Sequence, residues 1–152
     1  MGVAIDITDA VVTLLEGETF AVAADVERAL VPYVVKTDLT QPLIQVCWVG
    51  KASHEYDRHN EALFYTVAVG IHQPLSDTEN ATQQDTAINL VEEVHDYLAF
   101  KSNRSLSLAG GGEAKLQLPF TTEQIYNPDE VRQTGNFFTV ANFKYRYYKG
   151  RS

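Results

Sequence analysis

Residues Asn136–Ser152 read NFFTVANFKYRYYKGRS. Phe137, Thr139, Ala141, Phe143, Tyr145 and Tyr147 fall on one side of a period-2 alternation. Phe138, Val140, Asn142, Lys144, Arg146 and Tyr148 fall on the other. Successive strand side chains point to opposite faces, so the stretch predicts a long closing strand with one aromatic face and one increasingly cationic face. It also carries positive charge out of an otherwise acidic chain. Charge segregated in this way suits a protein that meets a partner, including another copy of itself.

Working outward, Ala62–Gln73 is the next clearest strand, with Leu63, Tyr65, Val67, Val69 and Ile71 on one face and Pro74 as its stop. Leu43–Val49 (LIQVCWV) is a short apolar run of β-formers and predicts a buried strand. Between them, Gly50–Asn60 reads as a polar loop suited to an antiparallel return. Asp6 or Thr8 can cap a first helix reaching about Leu15, with Ile7, Val11, Leu14 and Leu15 as its stripe and Gly17 as its stop. Phe20–Leu30 alternates like a strand but also matches a helix; Pro32 and the turn-rich stretch behind it favour strand. Thr78–Phe100 predicts a long helix burying Ala87, Ile88, Val91, Val94 and Leu98. Lys101–Glu113, with Gly110-Gly111-Gly112, is expected to be a flexible loop that orders or reaches a neighbour on assembly. Ala114–Phe120 is a short strand, and Thr121–Gln133 is turn-like.

The expected fold is α/β of the α+β type. A single mainly antiparallel or mixed sheet of about five strands carries two packed helices, because each amphipathic face must bury against something. The expected core includes Val11, Leu14, Val46, Val67, Val69, Val91, Val94 and Leu98.

A chain of 152 residues, 45% hydrophobic and 21% charged, fits one globular domain over residues 1–152. No apolar run approaches the roughly 20 residues that span a bilayer, so no membrane role is expected. The N-terminus lacks the basic region of a signal peptide, and Asp6 stands where a myristoylation motif needs Ser or Thr. Cys47 is the only cysteine, which excludes an intrachain disulfide. Net charge is −8, yet residues 101–152 hold 8 basic and 4 acidic residues while residues 1–100 hold 4 and 16. The acidic total argues against a general nucleic-acid binder. The basic end reads either as a solvated tail or as one half of a head-to-tail contact between copies.

Chemistry is sparse. His54, Glu55, Asp57 and His59 place imidazoles and carboxylates in one loop, with His72 on the following strand, but their spacing matches no specific metal motif. Cys47 sits in an apolar strand beside Trp48 and reads as a buried structural thiol. His95 lies near the apolar stripe of the long helix and reads as packed or half-exposed. The glycine run lacks the Lys-Ser/Thr of a phosphate loop. No nucleophile, base and oxyanion stabiliser assemble, so no enzyme and no cofactor are expected. A metal-dependent enzyme using His54, Asp57 and His59 is the distant alternative.

The order DITDAVVTLLEG, Phe20–Leu30, Pro32, LIQVCWV, the loop with Arg58, ALFYTVAVGIHQP, LVEEVHDYL and FFTVANFKYRYY resembles the tail-terminator (tail-completion) proteins of long-tailed bacteriophages, from about Ile5 to Tyr148. The resemblance implies a structural virion protein of the phage neck, assembled in the host cytoplasm, with no catalytic residues to carry over. It implies a ring, typically of six subunits, at the head-proximal end of the tail tube. Such a ring stops tube polymerisation, docks head-completion proteins and lets DNA pass without sequence-specific binding. The near alternative is another neck or tail component, connector-like or tube-like. Candidate interface residues are Lys144, Arg146, Lys149, Arg151, Arg58 and Arg104.

Overall fold

The chain runs α1 (Val3–Glu16), β1 (Asp25–Arg28), β2 (Leu43–Glu55), β3 (Asn60–Pro74), α2 (Ala81–Ala99), a 3₁₀ turn (Lys101–Asn103), β4 (Ser105–Ser107), β5 (Glu113–Leu116) and β6 (Asn136–Gly150). The computed structural model describes residues 2–29, 41–55, 60–76, 80–117 and 136–150. Its strands form one mixed sheet in the order β1-β2-β3-β6-β5-β4. Every neighbouring pair is antiparallel except β1 with β2. The expected α+β architecture is therefore present, with six strands rather than about five.

Alternation decides the layering. Phe137, Thr139, Ala141, Phe143 and Tyr145 of β6 are buried, and they share a face with Leu63, Tyr65, Val67, Val69 and Ile71 of β3. Onto this inner face pack Ile7, Val11 and Leu15 of α1 and Ala87, Leu90, Val91, Val94 and Leu98 of α2. Of the expected core residues only Leu14 falls short: it is half-buried at the margin, and its carbonyl accepts from the Tyr97 hydroxyl at 2.9 Å.

Several local expectations need correction. Helix α1 starts at Val3 with Gly2 as its cap, so neither Asp6 nor Thr8 caps it. The Asp6 carboxylate, only 6% exposed, accepts from the Gly110 N–H at 3.2 Å. Helix α2 starts at Ala81, where the Asn80 side chain accepts from the Gln83 N–H at 3.1 Å. Over the described part of Phe20–Leu30 only Asp25–Arg28 is strand. Phe20 instead meets the Tyr97 ring edge-on, and the Ala21 N–H donates to Glu93, so helix α2 holds this segment.

The expected Gly50–Asn60 loop is strand as far as Glu55. A register shift between Trp48 and Gly50 precedes an arm in which Lys51, Ala52 and Ser53 pair with Tyr65, Phe64 and Leu63. These three β2 residues are exposed, and without a buried side the run carries no period-2 hydrophobic signal. The remainder of that loop, with Asp57, Arg58 and His59, lies outside the described residues, as does Thr121–Gln133. Lys101–Glu113 is likewise no open loop. It holds the 3₁₀ turn, β4 and a tight hairpin turn in which Gly111 and Gly112 adopt φ of 96° and 88°, values that favour glycine. A Cβ on Gly112 would come within 2.9 Å of the Tyr147 ring.

Two stability predictions follow from this core. Val91→Asp would bury an unpaired carboxylate against the sheet and should cost at least about 3 kcal/mol, read by denaturant titration; unchanged unfolding would refute the helix register. Tyr145 is fully buried, its hydroxyl has no hydrogen-bond partner among the described residues, and burial pushes its pKa far above the ordinary value. Its folded pKa is raised, so its contribution is complete below the unfolded value near 10 and is lost as pH climbs beyond it. Tyr145→Phe should be neutral or stabilising by up to about 1 kcal/mol at pH 7, because it removes an unsatisfied group. It should also make the loss of stability above pH 10 shallower.

Candidate assembly interface

Burying the aromatic side of β6 forces its other side outward. Asn142, Lys144 and Tyr148 are exposed there, and Arg146 is half-buried. Lys144 stands opposite Thr66 of β3. Arg146 stands between Phe64 of β3 and Lys115 of β5. Three cations thus share one end of the outer face, and two of them are direct cross-strand neighbours. Like charges so placed oppose strand pairing.

Two of these cations lie on rings. The Arg146 guanidinium carbon is 4.9 Å from the Tyr148 ring centroid, and the Lys144 Nζ is 6.0 Å from that of Phe64. Among the described residues none of the three has an ion-pair partner, and the Arg146 Nε is buried without a hydrogen bond. Such a surface can bind carboxylates of another protein.

Not every expected residue joins this cluster. Arg104 donates from Nε to the Ala99 carbonyl at 2.7 Å, and its own carbonyl accepts from the Leu116 N–H at 2.7 Å. It ties the end of α2 to β5 and stands apart from Lys144 and Arg146. Lys149 is described in its backbone only, and Arg58 and Arg151 lie outside the described residues. Lys115, by contrast, does join it. The alternation of EAKL puts it opposite Ala114 and Leu116, but its place beside Arg146 depends on a long-range register that local sequence does not carry.

The polar groups at the other end of the outer face do a different job. His72 is fully buried, its Nε2 lies 2.9 Å from the Gln45 Oε1, and the Gln45 Nε2 donates to Glu27 at 3.0 Å. With the amide oriented this way, Nε2 of His72 carries the donated proton. The row pins β3, β2 and β1 together, while Phe138 stacks on the imidazole at 4.5 Å. His72, on the strand that follows, is not near His54. His54 pairs with Ala62, ten residues and therefore about 33 Å back along β3. The side chains of His54, Asp57 and His59 lie outside those described, and among the described residues no group of three or more His, Cys, Asp or Glu could hold a metal. Cys47 is fully buried, and burial raises its thiol pKa. His95 is half-buried, with its ring 6.0 Å from that of Phe143.

No protein-family model matches the chain, and no curated protein does. Among solved structures, the chain is similar to the sheath/tube terminator of an extracellular contractile injection system, PVC, determined by cryo-EM in its extended state. The TM-score is 0.50 at 11% identity, and the likeness covers 100% of this chain and 57% of that one. The two share a fold, and this chain spans little more than half the length of that terminator.

The like-charge pair gives a direct test. Lys115→Glu would place opposite charges across β5 and β6 and should raise stability by about 0.2–1 kcal/mol in thermal or denaturant unfolding. A loss of stability would show that Lys115 and Arg146 are not neighbours as described.

Proposed function

We propose that this protein closes the end of a phage-tail-like tube. In this reading copies of the chain form a ring of six on the head-proximal end of the tail tube, stop its polymerisation and present a docking surface to head-completion proteins. The particle is a virion assembled in the host cytoplasm, and DNA passes through the ring without sequence-specific binding. The likeness of the whole chain to a sheath/tube terminator carries the proposal. Two features of the chain support it. A net charge of −8 suits a conduit that must not hold phosphates. Lys144 and Arg146 on β6, which have no ion-pair partner among the described residues, suit a contact between copies, which is how a heterologous ring closes.

Electron microscopy and native mass of the purified protein test this reading. Rings that bind tube ends are the expected result; a monodisperse monomer or dimer at every concentration would overturn it. Lys144→Glu with Arg146→Glu should leave the fold intact and give monomers that cannot cap tubes. Ring formation by the unaltered protein should weaken gradually as salt rises, because exposed charges are screened over about 8 Å at physiological ionic strength.

A further inference from the structure

The C-terminal ends of α1 and α2 leave an open cleft of about 620 Å³ on the helix side of the sheet. Its floor is aromatic. Phe20 meets Tyr97 at 6.1 Å between centroids, and Phe100, just past α2, is 63% exposed. Its rim is acidic: Glu18, Glu93 and Asp96 line it, and no lysine or arginine among the described residues does. The Asp96 side chain is 84% exposed. Glu18 lies close enough to Tyr97 to help burial raise the pKa of that phenol.

We infer that this cleft is the acceptor for the cationic outer face of β6 in a second copy of the chain. The inference rests on the ring reading and says which two surfaces meet. Charge complementarity carries it: three carboxylates rim the cleft, and Lys115, Lys144 and Arg146 share the outer face. The apolar parts match as well. Tyr148, 41% exposed beneath the Arg146 guanidinium, presents a flat cation-on-ring surface, and Phe100 is a ring with no cover. The donor lies on the outer face of the sheet and the acceptor among the helices on the inner face. One copy therefore cannot bring its own cleft to its own cations, and among the described residues those cations have no ion-pair partner. The contact is also not self-complementary, so it is head-to-tail and must generate a ring or a filament.

Four proteins test this by sedimentation and electron microscopy at low salt: the unaltered chain, Lys144→Glu/Arg146→Glu, Glu18→Lys/Asp96→Lys, and the combination of all four changes. Glu93 is left alone because it accepts from the Ala21 N–H. The expected result is rings from the unaltered chain, folded monomers from each double variant, and rings again from the combination, where the attraction is restored with its sign exchanged. Phe100→Ala should weaken assembly about tenfold or more without lowering the melting temperature. Rings from Glu18→Lys/Asp96→Lys alongside monomers from Lys144→Glu/Arg146→Glu would discard the cleft and keep the ring. A combination that stays monomeric would also discard the pairing. An unaltered chain that never forms rings would remove both readings. If circular dichroism shows a double variant unfolded, Asp96→Lys alone decides, with weaker rings upholding the cleft and unaltered rings rejecting it.

Discussion

Fifteen paired positions between β3 and β6 hold this sheet together. β1, β2 and β3 come from the first half of the chain and β6, β5 and β4 from the second, and in the sheet order the two sets meet only where β3 adjoins β6. Side chains alternate with period 2, so a slip of one residue in this ladder would exchange its two faces. Phe137, Phe143 and Tyr145 would then meet solvent, and Lys144 and Arg146 would meet the helices. Burying three large aromatic side chains stabilises the observed register by several kcal/mol, which leaves no competing alignment. The direction in which the cations point is therefore a consequence of the core.

The same ladder explains where the structure tolerates local cost. Lys115 beside Arg146 opposes strand pairing, and the Tyr145 hydroxyl is buried without a partner among the described residues. Each penalty is at most about 1 kcal/mol, too small to shift a fifteen-residue register that buries so much apolar surface. Neither residue helps the isolated fold as well as a simple alternative would. For Lys115 the cost falls on a surface whose charges have no ion-pair partner among the described residues, which is what a contact made between subunits would leave behind.

How much of this could be read from sequence follows from the range of each signal. The faces of β6 and β3 were legible because period-2 alternation is local and runs for more than ten residues. The stripe of α2 was legible for the same reason, with Leu90 taking the buried place expected of Ile88, which is half-buried. The β2 arm beyond Trp48 was not, because Lys51, Ala52 and Ser53 are exposed and their strand state comes from pairing with β3. β4 was hidden by its length of three residues and by the glycines that follow it. The role of Asp6 was missed because its partner, Gly110, is 104 residues away. Within the candidate interface, Lys144 and Arg146 were legible from alternation alone. Lys115 and the carboxylate-rimmed cleft needed the tertiary fold to bring distant segments together.

In the proposed ring, the angle between successive copies is set by how the outer face of β6 is turned relative to the cleft at the ends of α1 and α2. Both are fixed to the same ladder, one on each side of it, so the rigidity of the sheet becomes the rigidity of that angle. The value of that angle decides whether a head-to-tail contact closes into a ring or continues as a filament, and rigidity makes the outcome uniform. Closure also changes what each contact must supply. Exposed ion pairs contribute about 0–1 kcal/mol each, too little to hold two free copies at low concentration. The last contact of a ring forms between ends already held near one another, at a high effective concentration. The aromatic patch around Phe100 adds apolar burial that salt does not screen. An assembly built this way loses single subunits easily before closure and rarely after it, so its stability resides in the closed ring more than in any one pair.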